Sequence, residues 1–367
     1  MTHLVGKEYL AAIEPVDHNN AHTLPAFMYL DEDILGLEKT AVLENSWQLV
    51  GHVSQLQRSG DHIVAELGNK PVIVVRNADN EINAFINVCR HRGGPLAYEN
   101  GHSNMLVCKY HGWTYTLDGA LKVAPEMNNT PNFDTCQFHL PKVKHAIWQN
   151  LVFVNVSDTA VVPKLETMLD GIAQNIVPID LAQMQFSHSD TYYVACNWKV
   201  YMDNYLEGYH LPMVHPELNK MLDYRSYQTT LHPWYSYQFS PLEQVDNPSN
   251  FYGEGKAHYY CVFPNLMLNI LPGRLQTNRV SALNSGETLV TFDYFYSDID
   301  SQETQQFIEQ DIALSDEIQK EDIQICEAVQ KGLQSGCYEQ GRLNMLRETG
   351  VLHFQELLRQ QLRLIAT

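Results

Sequence analysis

Hydrophobic and polar positions fall into two regimes along the chain. From Trp47 to about Val156 short apolar runs alternate with turn residues. Pro71–Arg76 and Ile82–Val88 are β-branched runs joined by Asn77-Ala-Asp-Asn-Glu, a pattern that predicts a hairpin. Leu151–Val156 reads as a closing strand and Ser157–Pro163 as a linker. Beyond Lys164, strands are predicted at Met184–Val194, Tyr235–Phe239, His258–Phe263 and Leu266–Leu271. Arg279–Leu283 and Thr288–Tyr296 form a hairpin around Asn284-Ser-Gly. A helical period then runs over Ser301–Lys331, with Gly332 and Gly336 as stops, and a last helix covers Val351–Ile365. Ahead of both blocks, residues 1–45 hold a helix over Asp31–Glu44 with Asp31 as N-cap. Strands with few, long helices predict the α+β class, an antiparallel sheet wrapped on a helix. The expected organisation is an N-terminal segment (1–45) packing on the second domain, a β-rich domain (46–156) and a larger domain (164–367).

Composition narrows the picture. The 367 residues exceed one ordinary core, in keeping with two domains. A net charge of −19 disfavours nucleic acid and anionic membranes as partners and is compatible with a cationic substrate. No apolar run is long enough to span a bilayer, and the first residues lack the basic and apolar regions of a signal peptide. Of seven cysteines, Cys136, Cys196, Cys261, Cys326 and Cys337 lack ligand spacing and read as free thiols in a reducing cytoplasm.

Chemistry concentrates at Cys89-Arg-His91-Arg-Gly-Gly-Pro and Cys108-Lys-Tyr-His111-Gly-Trp, separated by residues 92–107. Two Cys-plus-His pairs on Gly-bounded loops suit a [2Fe–2S] centre in which thiolates bind one iron and imidazoles the other. A Cys2His2 zinc site has the same ligand set, though its usual order places both Cys before both His, whereas here they alternate. The plain alternative is two buried thiols and two surface imidazoles.

A second constellation lies in Asn197-Trp-Lys-Val-Tyr-Met-Asp-Asn-Tyr-Leu-Glu-Gly-Tyr-His-Leu-Pro-Met-Val-His. At helical spacing Asp203, Asn204, Glu207 and His210 share one side. Pro212 is expected to break the helix just after His210, letting His215 swing back towards it. Two imidazoles and one carboxylate with open positions suit Fe(II). The carboxylate candidate is Asp322, aligned with Ile318, Ile325, Cys326 and Val329. An acid in an apolar stripe is costly unless paired or metal-bound. Asp311 is the runner-up, and Glu321 and Glu327 read as solvated helix charges. A plain amphipathic surface helix is the alternative; against it, Lys199 is the only cation on the helix.

The two Cys/His loops resemble the Rieske domain of the ring-hydroxylating oxygenase family and its relatives acting on quaternary ammonium compounds. Asn-Tyr-x-Glu-x-Tyr-His-x4-His resembles that family's mononuclear iron motif, and Glu-Asp-Ile-x-Ile-Cys-Glu-x-Val-Gln-Lys-Gly the segment supplying its third ligand. The similarity runs from about Thr23 to the C-terminus. It implies a β-rich Rieske [2Fe–2S] domain plus a helix-grip catalytic domain, in a homotrimer. It also implies that Cys89 and Cys108 bind one cluster iron and His91 and His111 the other, and that His210, His215 and Asp322 bind Fe(II). Glu207 then bridges to His111 of the partner subunit. Most aromatic-ring members have Asp at the bridge; Glu207 and the C-terminal motif resemble the carnitine and choline monooxygenase branch.

The expected function is therefore a monooxygenase component acting on a choline-, carnitine- or betaine-type compound. Its NAD(P)H electrons arrive through a separate flavin/iron–sulfur reductase, because this chain has no Gly-rich dinucleotide motif. Tyr205 and Tyr209 are the candidate rings for a trimethylammonium group. The alternatives are an aromatic ring-hydroxylating dioxygenase and, in another class, a non-catalytic Rieske electron carrier with a ligand-binding domain.

Overall fold

The computed structural model describes residues 6–158, 162–242 and 250–366, so part of the expected linker lies outside the described residues. The chain divides into two compact units, one of residues 43–165 and one combining the N-terminal segment to Val42 with everything from Glu166.

The smaller unit is built from antiparallel ladders. β1 (Gln48–His52), β2 (Asp61–Leu67), β3 (Lys70–Arg76), β4 (Ile82–Ile86) and β5 (Gly101–His102) come first. Three short strands follow, β6 (Leu106–Val107), β7 (Thr114–Tyr115) and β8 (Leu121–Val123), then β9 (Lys144–Trp148) and β10 (Leu151–Asn155). The sheet orders are β1-β10-β9, β4-β3-β2-β5 and β6-β7-β8. β3 and β4 form the predicted hairpin, with Arg76 opposite Ile82. β4 stops at Ile86, short of Val88, because Asn87 turns its side chain to the next loop. Its Oδ1 accepts from the Leu96 and Ala97 amides and its Nδ2 donates to the Ala97 carbonyl.

The larger unit carries one seven-stranded antiparallel sheet. Its strands are β11 (Gln185–Val194), β12 (Gln228–His232), β13 (Tyr235–Pro241), β14 (Lys256–Val262), β15 (Leu266–Leu271), β16 (Arg274–Asn284) and β17 (Glu287–Tyr296). They lie in the order β11-β17-β16-β15-β14-β13-β12. β12 escaped the sequence reading because it is a polar, largely exposed edge strand with no apolar alternation. The helices that matter are α1 (Glu32–Glu38), α2 (Trp198–Tyr205), α3 (Leu211–Val214), α4 (Gln302–Gln334) and α5 (Thr349–Ala366). Asp31 caps α1 through the Asp33 amide, as expected, and Ser301 caps α4 through Thr304. α4 runs straight through Gly332 and ends before Gly336, whose φ of +71° favours glycine. Ile308, Cys326 and Leu333 of α4 join Val290 and Phe292 of the sheet and Phe354 and Leu358 of α5 in one core. Among the described residues no helix is long and apolar enough to cross a membrane.

Lys199 speaks against the alternative of a solvated surface helix. It is fully buried, with its ammonium 2.8 Å from the Glu38 carboxylate, which also accepts from the Trp198 indole at 2.8 Å. The base of α2 is thus fastened to α1.

Candidate active site

In the smaller unit, the two Cys/His loops close in the same way. The Gly93 amide donates to the Cys89 carbonyl and the Cys89 amide to Gly94; the Gly112 amide donates to the Cys108 carbonyl and the Cys108 amide to Trp113. Gly93 and Gly112 have φ of +75° and +72°, where a side chain would be strained. A Cβ on Gly94 would lie 2.9 Å from the Cys108 sulfur, so one loop needs glycine to approach the other's thiol. Both thiols are buried and both imidazoles exposed, with ring centroids 4.6 Å apart. Trp113 stacks on His91 at 4.8 Å, and the Tyr115 hydroxyl lies 3.3 Å from the Cys89 sulfur. Burial pushes the Cys108 thiol up, so a thiolate at that position requires a cation beside it. The donor set and the glycine cradle fit a [2Fe–2S] cluster.

In the larger unit, the predicted iron motif folds differently from the expectation. α2 ends at Tyr205, five residues before His210, and Pro212 does not break it; Pro212 lies in the first turn of α3. The turn Leu206–Tyr209 is forced elsewhere. A Cβ on Gly208 would meet the Tyr227 ring at 2.8 Å, so the backbone lies flat against that ring. The Glu207 carboxylate accepts from the Tyr209 and His210 amides, closing the turn. The outcome sought from Pro212, His215 brought back to His210, is reached by this tighter route: their rings are 5.0 Å apart at 74°.

His210, His215 and Asp322 each offer a ligand atom, all within 4.8 Å of one another. His215 Nε2 is 3.0 Å and His210 Nε2 3.9 Å from Asp322 Oδ1. The far side of each ring is held by a carboxylate, Glu207 at 2.6 Å from His210 Nδ1 and Glu321 at 2.7 Å from His215 Nδ1. Asn204 Nδ2 donates to Asp322 at 2.6 Å. Burial alone lowers the basicity of His215, but bonding and charge from Asp322 and Glu321 outweigh it and raise its pKa. A carboxylate on each Nδ1–H leaves the Nε2 lone pair free for a metal. The set fits a two-His, one-carboxylate iron site.

Asp322 is thus brought to the histidines, although the apolar stripe that pointed to it is only partly buried: Ile325 and Val329 are exposed. Glu321, taken as a solvated charge, instead orients His215; an acid adjacent to a ligand on an exposed helix face carries no sequence signal of that role. Glu327 accepts from the Ala195 amide. Asp311, the runner-up, is fully buried and bound by Arg274 at 2.9 Å, Tyr252 at 2.5 Å and Tyr296 at 2.6 Å, so it anchors α4 to the sheet instead.

A cavity opens beside the triad. Its aromatic wall comprises Tyr201, Tyr205, Tyr227, Tyr252, Tyr259 and Phe292. Tyr205 lines it, with its hydroxyl 2.7 Å from Asn269 Oδ1. Tyr209 does not line this cavity: it follows the Gly208 turn outward and is 54 % exposed.

Comparison with known proteins agrees with both halves. Residues 46–134 match the Rieske [2Fe-2S] domain and residues 181–364 the ring hydroxylating alpha subunit (catalytic domain). The chain is 34 % identical to choline monooxygenase, chloroplastic, of Arabidopsis thaliana, covering 94 % of this chain and 84 % of that protein. It is 31 % identical to the carnitine monooxygenase oxygenase subunit of Escherichia coli (strain K12), over 93 % and 94 %. A solved quaternary ammonium Rieske monooxygenase, described in terms of carnitine oxidation and inter-subunit electron transfer, superposes with a TM-score of 0.84 at 26 % identity, covering 95 % of this chain and all of the other. Two domain matches in succession, and two relatives above 30 % identity, establish that this chain belongs to the Rieske non-haem iron oxygenases, as a ring-hydroxylating-type alpha subunit.

Proposed function

We propose that the chain is the oxygenase component of a monooxygenase hydroxylating a C–H bond of a small quaternary ammonium compound of choline, carnitine or betaine type. The observation that carries this is the convergence of His210, His215 and Asp322 on a ring-lined cavity, in a chain whose relatives are named choline and carnitine monooxygenases. Cys89 and Cys108 would hold one iron of a [2Fe–2S] cluster and His91 and His111 the other; His210, His215 and Asp322 would hold Fe(II). When bound, these groups supply single electrons and a centre at which O2 is reduced.

The chain's own residues do the rest. Glu207 and Glu321 fix the imidazoles through Nδ1, and Asn204 steers the Asp322 carboxylate. The cavity rings present π-faces to a trimethylammonium group, each contact worth roughly 0.5–2 kcal/mol. In balance, C–H, O2, two electrons and two protons give C–OH and water. Hydroxylation of a carbon bonded to nitrogen yields a product that separates into an aldehyde and a tertiary amine. The electrons come from NAD(P)H by way of a separate flavin/iron–sulfur reductase in the cytoplasm. The working form is a homotrimer, in which Glu207 faces His111 of the partner subunit.

Turnover with a compatible reductase, scored by aldehyde formation, tests the proposal. We expect oxidation of at least one of choline, carnitine, γ-butyrobetaine and glycine betaine, and none of benzoate. Activity confined to aromatic compounds would overturn it. The neutral isostere 3,3-dimethylbutanol should bind about tenfold or more weakly than choline, as loss of one or two cation–π contacts requires.

A further inference from the structure

The cavity beside the triad is not uniformly aromatic. At the end where β16 begins, Arg274 meets Gln276 and Ser315 of α4, and Gln319 follows one helical turn on towards the triad; all four line the cavity. Each is more than nine-tenths buried. Their hydrogen bonds run in one sense. Arg274 donates through Nε to Asp311 at 2.9 Å and through Nη2 to Ser315 Oγ at 3.0 Å and to Gln276 Oε1. Because a guanidinium only donates, Gln276 must turn its oxygen towards it and its amide nitrogen away. Gln319 is held likewise by its oxygen, 2.7 Å from the Tyr201 hydroxyl. The outcome is a set of free donors. Gln276 Nε2 and Gln319 Nε2 are buried without a partner, and Arg274 Nη1 makes no hydrogen bond among the described residues. Buried polar groups left unpaired cost free energy, so this cluster is built to receive an acceptor.

We infer that these residues form a carboxylate-binding subsite, and that the substrate is a zwitterion with a quaternary ammonium group at one end and a carboxylate at the other. This rests on the function proposed above and narrows it. Three donors with no free acceptor among them match a carboxylate, which only accepts; a hydroxyl group would leave its own hydrogen unplaced. Charge places the ammonium end. Glu207, Glu321 and Asp322 gather at the triad and exceed a divalent ion by one negative charge, which favours the ammonium there. The Arg274 guanidinium lies at the opposite end, where Asp311 balances its charge, so the carboxylate is drawn there by unpaired donors and not by net charge. Along α4 the two ends are seven residues apart, Ser315 to Asp322, about 10 Å at the helical rise. That length admits a carboxylate separated from the ammonium nitrogen by a short carbon chain. Asp311 does not compete for the subsite, because Arg274, Tyr252 and Tyr296 already occupy both its oxygens.

The test is calorimetric binding to the intact, metal-loaded chain, with no turnover required. The ligands are γ-butyrobetaine, its methyl ester, choline and 5,5-dimethylhexanoate, the carbon isostere lacking the positive charge. We expect γ-butyrobetaine to bind at least tenfold more tightly than its methyl ester and than choline. In Gln276→Glu, which keeps an acceptor for Arg274 but puts a negative charge at the subsite, that preference should fall at least tenfold. Equal binding of ester and acid in the unmodified chain overturns the subsite without any variant being needed. Equal weakening of choline and γ-butyrobetaine by Gln276→Glu overturns it too. If 5,5-dimethylhexanoate binds as well as γ-butyrobetaine while choline does not bind, the quaternary ammonium reading itself fails and the zwitterion inference falls with it.

Discussion

Glu207 shows how much one side chain carries here. Its carboxylate closes the turn after α2 through two backbone amides and fixes His210 through Nδ1. Glu207→Gln keeps an acceptor for the amides and removes the charge. We expect it to retain three irons per chain by metal analysis but to lose about tenfold or more in turnover, the scale typical of partners that orient a metal-bound imidazole. Full turnover would overturn the bridging role proposed for it. Glu321→Ala acts on the other imidazole and should weaken Fe(II) retention against a chelator by about 10- to 100-fold, leaving the cluster's absorption unchanged. Asp203 is a different kind of residue. Burial pushes its pKa up to about 7 despite hydrogen bonds from Tyr29 and Gln355 and the charge of Lys199. Its folded value lies above its unfolded one, so the native state binds the extra proton. Stability from this group is therefore highest below about pH 4 and falls as pH rises to about 7. Urea unfolding of Asp203→Asn should show that part of the pH slope gone; an unchanged slope would mean that Asp203 is charged throughout.

At the level of elements, close backbone approaches set the site. Gly208 against Tyr227 is one, and Gly350, where a Cβ would meet the Leu206 carbonyl at 2.4 Å, is another. Both clamp the end of α2, from the cavity side and from α5. Gly350→Ala must push α5 off a backbone atom that cannot give, costing about 1–3 kcal/mol, seen as a lower Tm with weakened iron retention. A wild-type Tm would show that α5 has slack. These clamps also explain which parts of the sequence were readable. β3, β4, β15 and β17 announce themselves by β-branched and aromatic runs, and α4 and α5 by a long helical period. The turn at Gly208 does not, because what forbids a side chain there is the Tyr227 ring, nineteen positions away. Likewise Asp322 was legible through its motif, but Glu321 and Asn204 acquire their roles only once α2 and α4 lie together. The cavity rings Tyr227, Tyr252 and Tyr259 are three of many tyrosines, and nothing local separates them from core or surface ones.

On the scale of the whole molecule, the catalytic unit is assembled from two stretches of chain separated by the unit that carries the Cys/His loops. One join is the buried contact of Glu38 with Lys199 and Trp198. Glu38→Ala takes from a fully buried ammonium its hydrogen-bonded ion-pair partner, and should cost about 3–5 kcal/mol in chemical denaturation. Replacing both partners by Leu and Met should recover most of it, a result a merely local role would not give. Because 161 positions separate these partners, they also meet late in biosynthesis. At about 5–20 residues per second, α1 leaves the ribosome roughly 10–30 s before the residues that will cover Ile34 and Leu35. For that interval the apolar face of the nascent helix has no cover, and yield in a foreign host should depend on whatever shields it.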